Sequence, residues 1–182
     1  MRLTWIRIAA LAVAAAGLAG CASDENFYTQ PPLGSATKPT LVAPGERVEC
    51  VPYARAHSSV KIHGDAWTWW DRAAGKYPRE AKPETGAVMV LTGYAGPERG
   101  HVAVVRAVVS PREIRVDHAN WLGNGAIYLD DPVADVSPDN DWSEVRVWNV
   151  QIGAWGRRIY PVEGFIGPAD GASGAQMASA DS

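Results

Sequence analysis

The clearest period-two run in the chain is "REIRVDHANW", residues 112–121. Ile114 and Val116 fall on one face and Glu113, Arg115 and Asp117 on the other, which predicts a half-buried strand with its apolar set turned inward. The same parity carries His118 and Asn120 onto the inward face. Burying polar side chains is costly unless they find partners, so this stretch demands an explanation beyond core packing. Further strand-like runs are "GAVMVLT" (86–92), "HVAVVRAVV" (101–109) and "SEVRVWNV" (143–150), with a weaker one in "GAIYL" (125–129). Ser110-Pro111 joins the second and third runs tightly, predicting an antiparallel pair.

Two helical segments come before the strands. "CVPYARAHS" begins at Cys50 and carries Pro52 in its first turn, where a missing N–H costs nothing. "GDAWTWWDRAAG" (64–75) has Asp65 at the N-cap position and closes at Gly75. Helices first and strands afterwards is an α+β pattern rather than an alternating one. The folded part is read as 46–168. Residues 21–45, rich in Pro, Gly, Ser and Thr, read as a tether. Residues 169–182, poor in bulky side chains, read as a disordered tail.

Residues 1–20 place Arg2 and Arg7 ahead of an apolar run of signal-peptide length. The run ends in Leu18-Ala19-Gly20-Cys21, which resembles a bacterial lipobox, where the cysteine is lipid-modified and becomes the mature amino terminus. Ala22 after it resembles lipoproteins sorted to an outer membrane. The expected location is therefore the periplasmic face of the outer membrane, held by the N-terminal lipid. This changes the reading of the two cysteines. With Cys21 lipidated through sulfur, Cys50 is left as the lone thiol of an exported chain, a candidate nucleophile. The alternative is a small buried hydrophobe. A net charge of −3 argues against a nucleic-acid partner, and a monomer is expected.

Cys50 starts a helix, where free N–H groups and the dipole favour a thiolate. His101 opens its strand directly after Gly100, which allows close backbone approach. His118 lies near the end of the next strand, so the two histidines are expected to be cross-strand neighbours. A thiol, a histidine to take its proton and a third group to fix the imidazole tautomer make a cysteine-hydrolase arrangement. His118 is the candidate orienter, with Asn120 as its support or as a second polar partner. Cys50, His101 and His118 as zinc ligands are the competing reading, but no close-paired spacing or fourth ligand supports it, and no cofactor is expected. His57 and His63, in "RAHSS" and "KIHGD", read as solvated.

Eight tryptophans raise the question of a substrate-stacking wall. Trp67 and Trp70 share a helix face and read as core, as does Trp148 by strand parity. Trp121 falls on the face opposite Asn120 unless the strand ends there. Trp69 and Trp142 are the candidate cleft walls, together with Tyr53, one helical turn from Cys50.

In order along the chain, "ECVPYA", "GAVMVL", "GHVAVV" and "DHANW" are similar to the CHAP family (cysteine, histidine-dependent amidohydrolases/peptidases). The later "DVSPDNDWSEVRVW" and "YPVEGFIGP" also resemble bacterial members, so the likeness runs over about 46–168. It implies a papain-like α+β fold with N-terminal helices packed on an antiparallel sheet, and cleavage of peptidoglycan amide bonds. It also implies Cys50 as nucleophile and His101 as general base. The chain departs from the family in one place: many members carry a carboxylate two residues before the asparagine, where this chain has His118. Asp117 could replace it only if a bulge rotated it inward. His118 is the expected orienter.

Overall fold

A computed structural model describes residues 38–168. The readings of 1–20 as a signal segment, of Cys21 as lipidated, of the stretch up to 37 as tether and of 169–182 as a disordered tail fall outside the described residues. The elements in chain order are β1 (Thr40–Val42), α1 (Cys50–His57), a 3-10 turn (Ala66–Thr68) running into α2 (Trp69–Ala73), β2 (Arg79–Glu80), β3 (Val88–Leu91), β4 (His101–Ser110), β5 (Glu113–Ala119), β6 (Ile127–Asp135), β7 (Glu144–Asn149), β8 (Ala154–Trp155) and β9 (Tyr160–Ile166). All strand pairings among them are antiparallel.

The α+β expectation holds only in part. The helices precede and cover the main strands but follow β1; they are short, and the sheet is no open layer. Strands β3, β4, β5, β6, β7 and β9 pair in sequence and β9 returns to β3, closing a six-stranded barrel. Closure depends on β9, whose sequence "YPVEGFI" lacks clean alternation and was not expected as a strand. β1 pairs with β6 from inside the segment read as tether, so the domain begins earlier than 46. β6 extends well past the weak run "GAIYL".

Two apolar layers explain why β3 and β4 are nearly continuous hydrophobic runs. Met89, Leu91, Ala103 and Val105 point into the barrel with Ile114, Val116 and Phe165. The alternate residues Val88, Val90, Val102 and Val104 pack beneath the helices against Ala54, Val60 and Trp69. A strand covered on both faces has no polar side to show. β5 is covered as well, and its outward Arg115 and Glu113 are buried as an ion pair at 3.3 Å.

This packing overturns the aromatic readings. Trp69 is fully buried in the helical layer, its indole N–H donating to the Gly64 carbonyl at 3.2 Å. Trp142 is buried in the barrel, edge-on to Phe165 at 5.9 Å. Tyr53 is buried against His57, with ring centroids 4.2 Å apart. None of the three lines the cleft that holds Cys50 and His101. Trp67 is instead 41% exposed, because the tight turn over 66–68 breaks the 3.6-residue period that would have paired it with Trp70. Trp148 is half-buried, edge-on to Trp155 at 5.3 Å. His57 and His63 are exposed, as expected.

Candidate active site

The sequence dictates a helix start at Cys50 and a strand start at His101, and the packing of α1 on β4 brings these two ends together. Both residues line one open cleft of about 1110 Å³, with Glu49, Trp67, Tyr94 and Asn120 among the other lining side chains. The Cys50 thiol is half-buried and receives the backbone N–H of Val102, the residue after His101.

His101 and His118 do meet, although diagonally rather than face to face. The last β4–β5 pair is Val104 with Asp117, so His101 lies three residues before it and His118 one after. Side chains at that diagonal remain within reach. The rings stand edge to face, with His101 Nε2 and His118 Nδ1 2.9 Å apart.

The other His118 nitrogen meets a residue that the sequence reading missed. His118 Nε2 lies 3.0 Å from a carboxylate oxygen of Asp131, which is completely buried. A bulge creates this contact. Val116 pairs with Asp131 and His118 with Tyr128, so two β6 residues, Leu129 and Asp130, oppose the single Asp117. Asp130 takes a left-handed conformation with φ 55°, and the shift turns both Tyr128 and Asp131 inward. The bulge is thus in β6, not in β5. Asp117 stays outward, paired with Arg106 at 3.1 Å and accepting the Asp130 N–H at 2.8 Å.

Asn120 does not support His118. β5 ends at Ala119, and Asn120 turns out of the strand with φ 59°. Its side chain donates to Glu49 at 2.6 Å and accepts the Gly125 N–H at 2.7 Å. It therefore ties the end of β5 to the residue preceding Cys50. The same turn swings Trp121 inward, with its ring 4.9 Å from His101 and 4.8 Å from Tyr94. Tyr94, carried by the glycine-rich β3–β4 loop, packs on His101 at 5.3 Å. Trp121 and Tyr94 thus fix the base laterally. Of the lining residues that sequence reasoning missed, Tyr94 had a faint signal, an aromatic in an otherwise small, polar loop ahead of the strand start at His101, whereas Trp67 had none.

Burial pushes the Cys50 thiol above its usual value, with the Glu49 carboxylate adding to it; the N–H of Val102 and those of the helix start oppose the shift. Desolvation thus works against the N-terminal field that favours a thiolate at the helix start. Burial, and then the neighbouring His118, push His101 well below 6.5. Both shifts favour an uncharged thiol–imidazole pair. Burial raises the Asp131 carboxyl while its hydrogen bond to His118 pulls the other way. Burial likewise pushes the Tyr94 hydroxyl up to about 12. Among the described residues, no three His, Cys, Asp or Glu side chains converge so that they could hold a metal ion.

Residues 43–120 match the family model of the CHAP domain. The match contains Cys50, His101, His118 and Asn120; Asp131 lies beyond it, as do the later motifs that carried the resemblance on to 168. No curated protein matches the chain.

Proposed function

We propose that this chain is a cysteine hydrolase of the bacterial cell envelope that cleaves amide bonds in peptidoglycan. The observation that carries the reading is the shared cleft of Cys50 and His101, with the His101 ring held by His118. The CHAP-domain match over 43–120 supplies the substrate class.

In this mechanism His101 takes the thiol proton as Cys50 attacks an amide carbonyl. The oxyanion is stabilised by N–H groups at the start of α1, including that of Cys50. The His101 proton passes to the leaving amine, and water releases the acyl-enzyme. Both shifts favour an uncharged resting pair, so His101 acts as a true base in the attack. The bond is either the muramoyl–L-alanine amide or one within the stem peptides. Purified wall fragments incubated with wild type and with Cys50→Ala, then analysed by mass, test this. New amino termini made only by wild type identify the bond, and identical product profiles overturn the enzyme reading. The raised thiol fits a second reading, a wall-binding lipoprotein that keeps the fold without catalysis; retention on wall fragments with no product would establish it.

The lipobox motif at 18–21 supports anchoring of this domain to the membrane through Cys21, facing the periplasm. Cys21→Ser should then move the protein from the membrane fraction to the soluble one. Continued sedimentation with membranes would count against the anchor.

A further inference from the structure

Asp131 lies behind His118, away from the cleft, and its carboxylate is wholly buried in the barrel. One oxygen faces His118 Nε2 at 3.0 Å; the other is buried without a hydrogen-bond partner among the described residues. A carboxylate kept only for stability would have both oxygens satisfied, since a buried unmet acceptor is costly. The two bonds on either side of His118 are both shielded from water, because His101, His118 and Asp131 are all buried.

We infer that Asp131 is a positioning residue: through His118 it determines which nitrogen of His101 is free to take the thiol proton. This role rests on the reading of Cys50 and His101 as nucleophile and base. The logic runs through donors and acceptors. The hydrogen bond to His118 and the nearby Arg115 charge favour the ionised carboxylate against its burial; an ionised carboxylate can only accept, so His118 Nε2 then carries the proton. In a neutral ring His118 Nδ1 is then an acceptor, so the 2.9 Å contact is donated by His101 Nε2. That leaves His101 Nδ1 without a proton, ready to accept one. Reversing the polarity at residue 131 would reverse it at both rings and block the base.

The same chain supplies the counter-charge that a lone second imidazole lacks. When the thiol proton reaches His101 Nδ1, the Nε2 proton can move to His118 Nδ1. The positive charge then rests on His118, whose Nε2–H remains bonded to Asp131. His101 gains one proton and gives one up, His118 gains one and keeps its own, and the thiolate left at Cys50 carries the matching negative charge, so the step balances. The carboxylate that many similar sequences hold directly on the base is here one imidazole further away, delivered by the β6 bulge.

Nitrogen-15 NMR of the histidine rings tests this without any substrate. In wild type, His101 and His118 should both be Nε2–H tautomers; a wild-type His118 protonated at Nδ1 alone overturns the proposal. In Asp131→Ala, both rings should become mixtures of tautomers, although His101 does not touch residue 131. A folded Asp131→Ala protein whose His101 signals match wild type also overturns it. If that variant does not fold, the wild-type spectrum decides. Where wild type hydrolyses wall fragments, folded Asp131→Ala should turn over about 10²-fold more slowly or worse with fragment binding retained. An inactive wild type with the expected tautomers would sink the hydrolase reading, and with it the thiol-proton role, while the coupling of tautomers from Asp131 to His101 would stand on the spectra alone.

Discussion

His101 is a base that its surroundings keep uncharged, and that has a consequence for stability as well as for chemistry. Its folded pKa lies well below 6.5, chiefly through burial, whereas an unfolded histidine titrates near about 6.5. As pH falls below that value the unfolded chain binds a proton the folded chain refuses, so stability is lost on acidification. One such proton corresponds to about 1.4 kcal/mol per pH unit. Denaturant unfolding between pH 6 and pH 5 should therefore show a shallower pH slope for His101→Gln than for wild type by about that amount. Equal slopes would mean His101 is not held neutral by the fold. At this scale the sequence was legible where parity was unbroken: Ile114, Val116 and His118 point inward as the alternation implied. Asp131 was invisible, because the Asp130 bulge lies between it and any regular count along "YLDDPV". Asn120 was misplaced for a related reason, since its left-handed backbone ends the strand one residue too early for parity to apply.

Among the elements, the start of β4 and the 3-10 turn approach each other tightly at the cleft. A Cβ at Gly100 would sit 2.5 Å from the backbone nitrogen of Trp67 and 2.7 Å from its Cα. Backbone atoms cannot swing aside as a flexible side chain does. Gly100→Ala should therefore push the Trp67 wall off the His101 end of β4, at a cost of about 1–3 kcal/mol by the usual scale for overpacking. Chemical denaturation checks the cost, and loss of wall cleavage in a still-folded variant checks the displacement; a variant as stable as wild type would show that the approach is not tight. The glycine's role was readable in advance from its place before His101. The exposed position of Trp67 was not, because three residues of 3-10 geometry are indistinguishable in sequence from the first turn of an α-helix. Trp69 and Trp142 were assigned to a wall because indole suits stacking. Which indole is exposed depends on how the covering layer is rotated, and that is not a local property.

For the molecule as a whole, the decisive event is closure of the barrel by β9. Phe165 is completely buried there, opposite Met89 on β3 and edge-on to Trp142. Phe165→Ala should cost about 3–5 kcal/mol, measured by denaturant unfolding, although it lies far from the chain segment that carries Cys50. A cost below about 1 kcal/mol would mean that β9 merely covers the barrel edge. The sequence by itself determined the two helical segments ahead of the central strands, the antiparallel pairing of β4 with β5, the helix start at Cys50 and the inward face of His118. Each of these follows from local periodicity or from turn chemistry, which a short window contains. Only the tertiary structure decided that the sheet closes, that the bulge falls in β6, and that His118 backs onto Asp131. These depend on register between strands distant in sequence, where a shift of one residue exchanges the buried and outward faces and no local pattern records the partner.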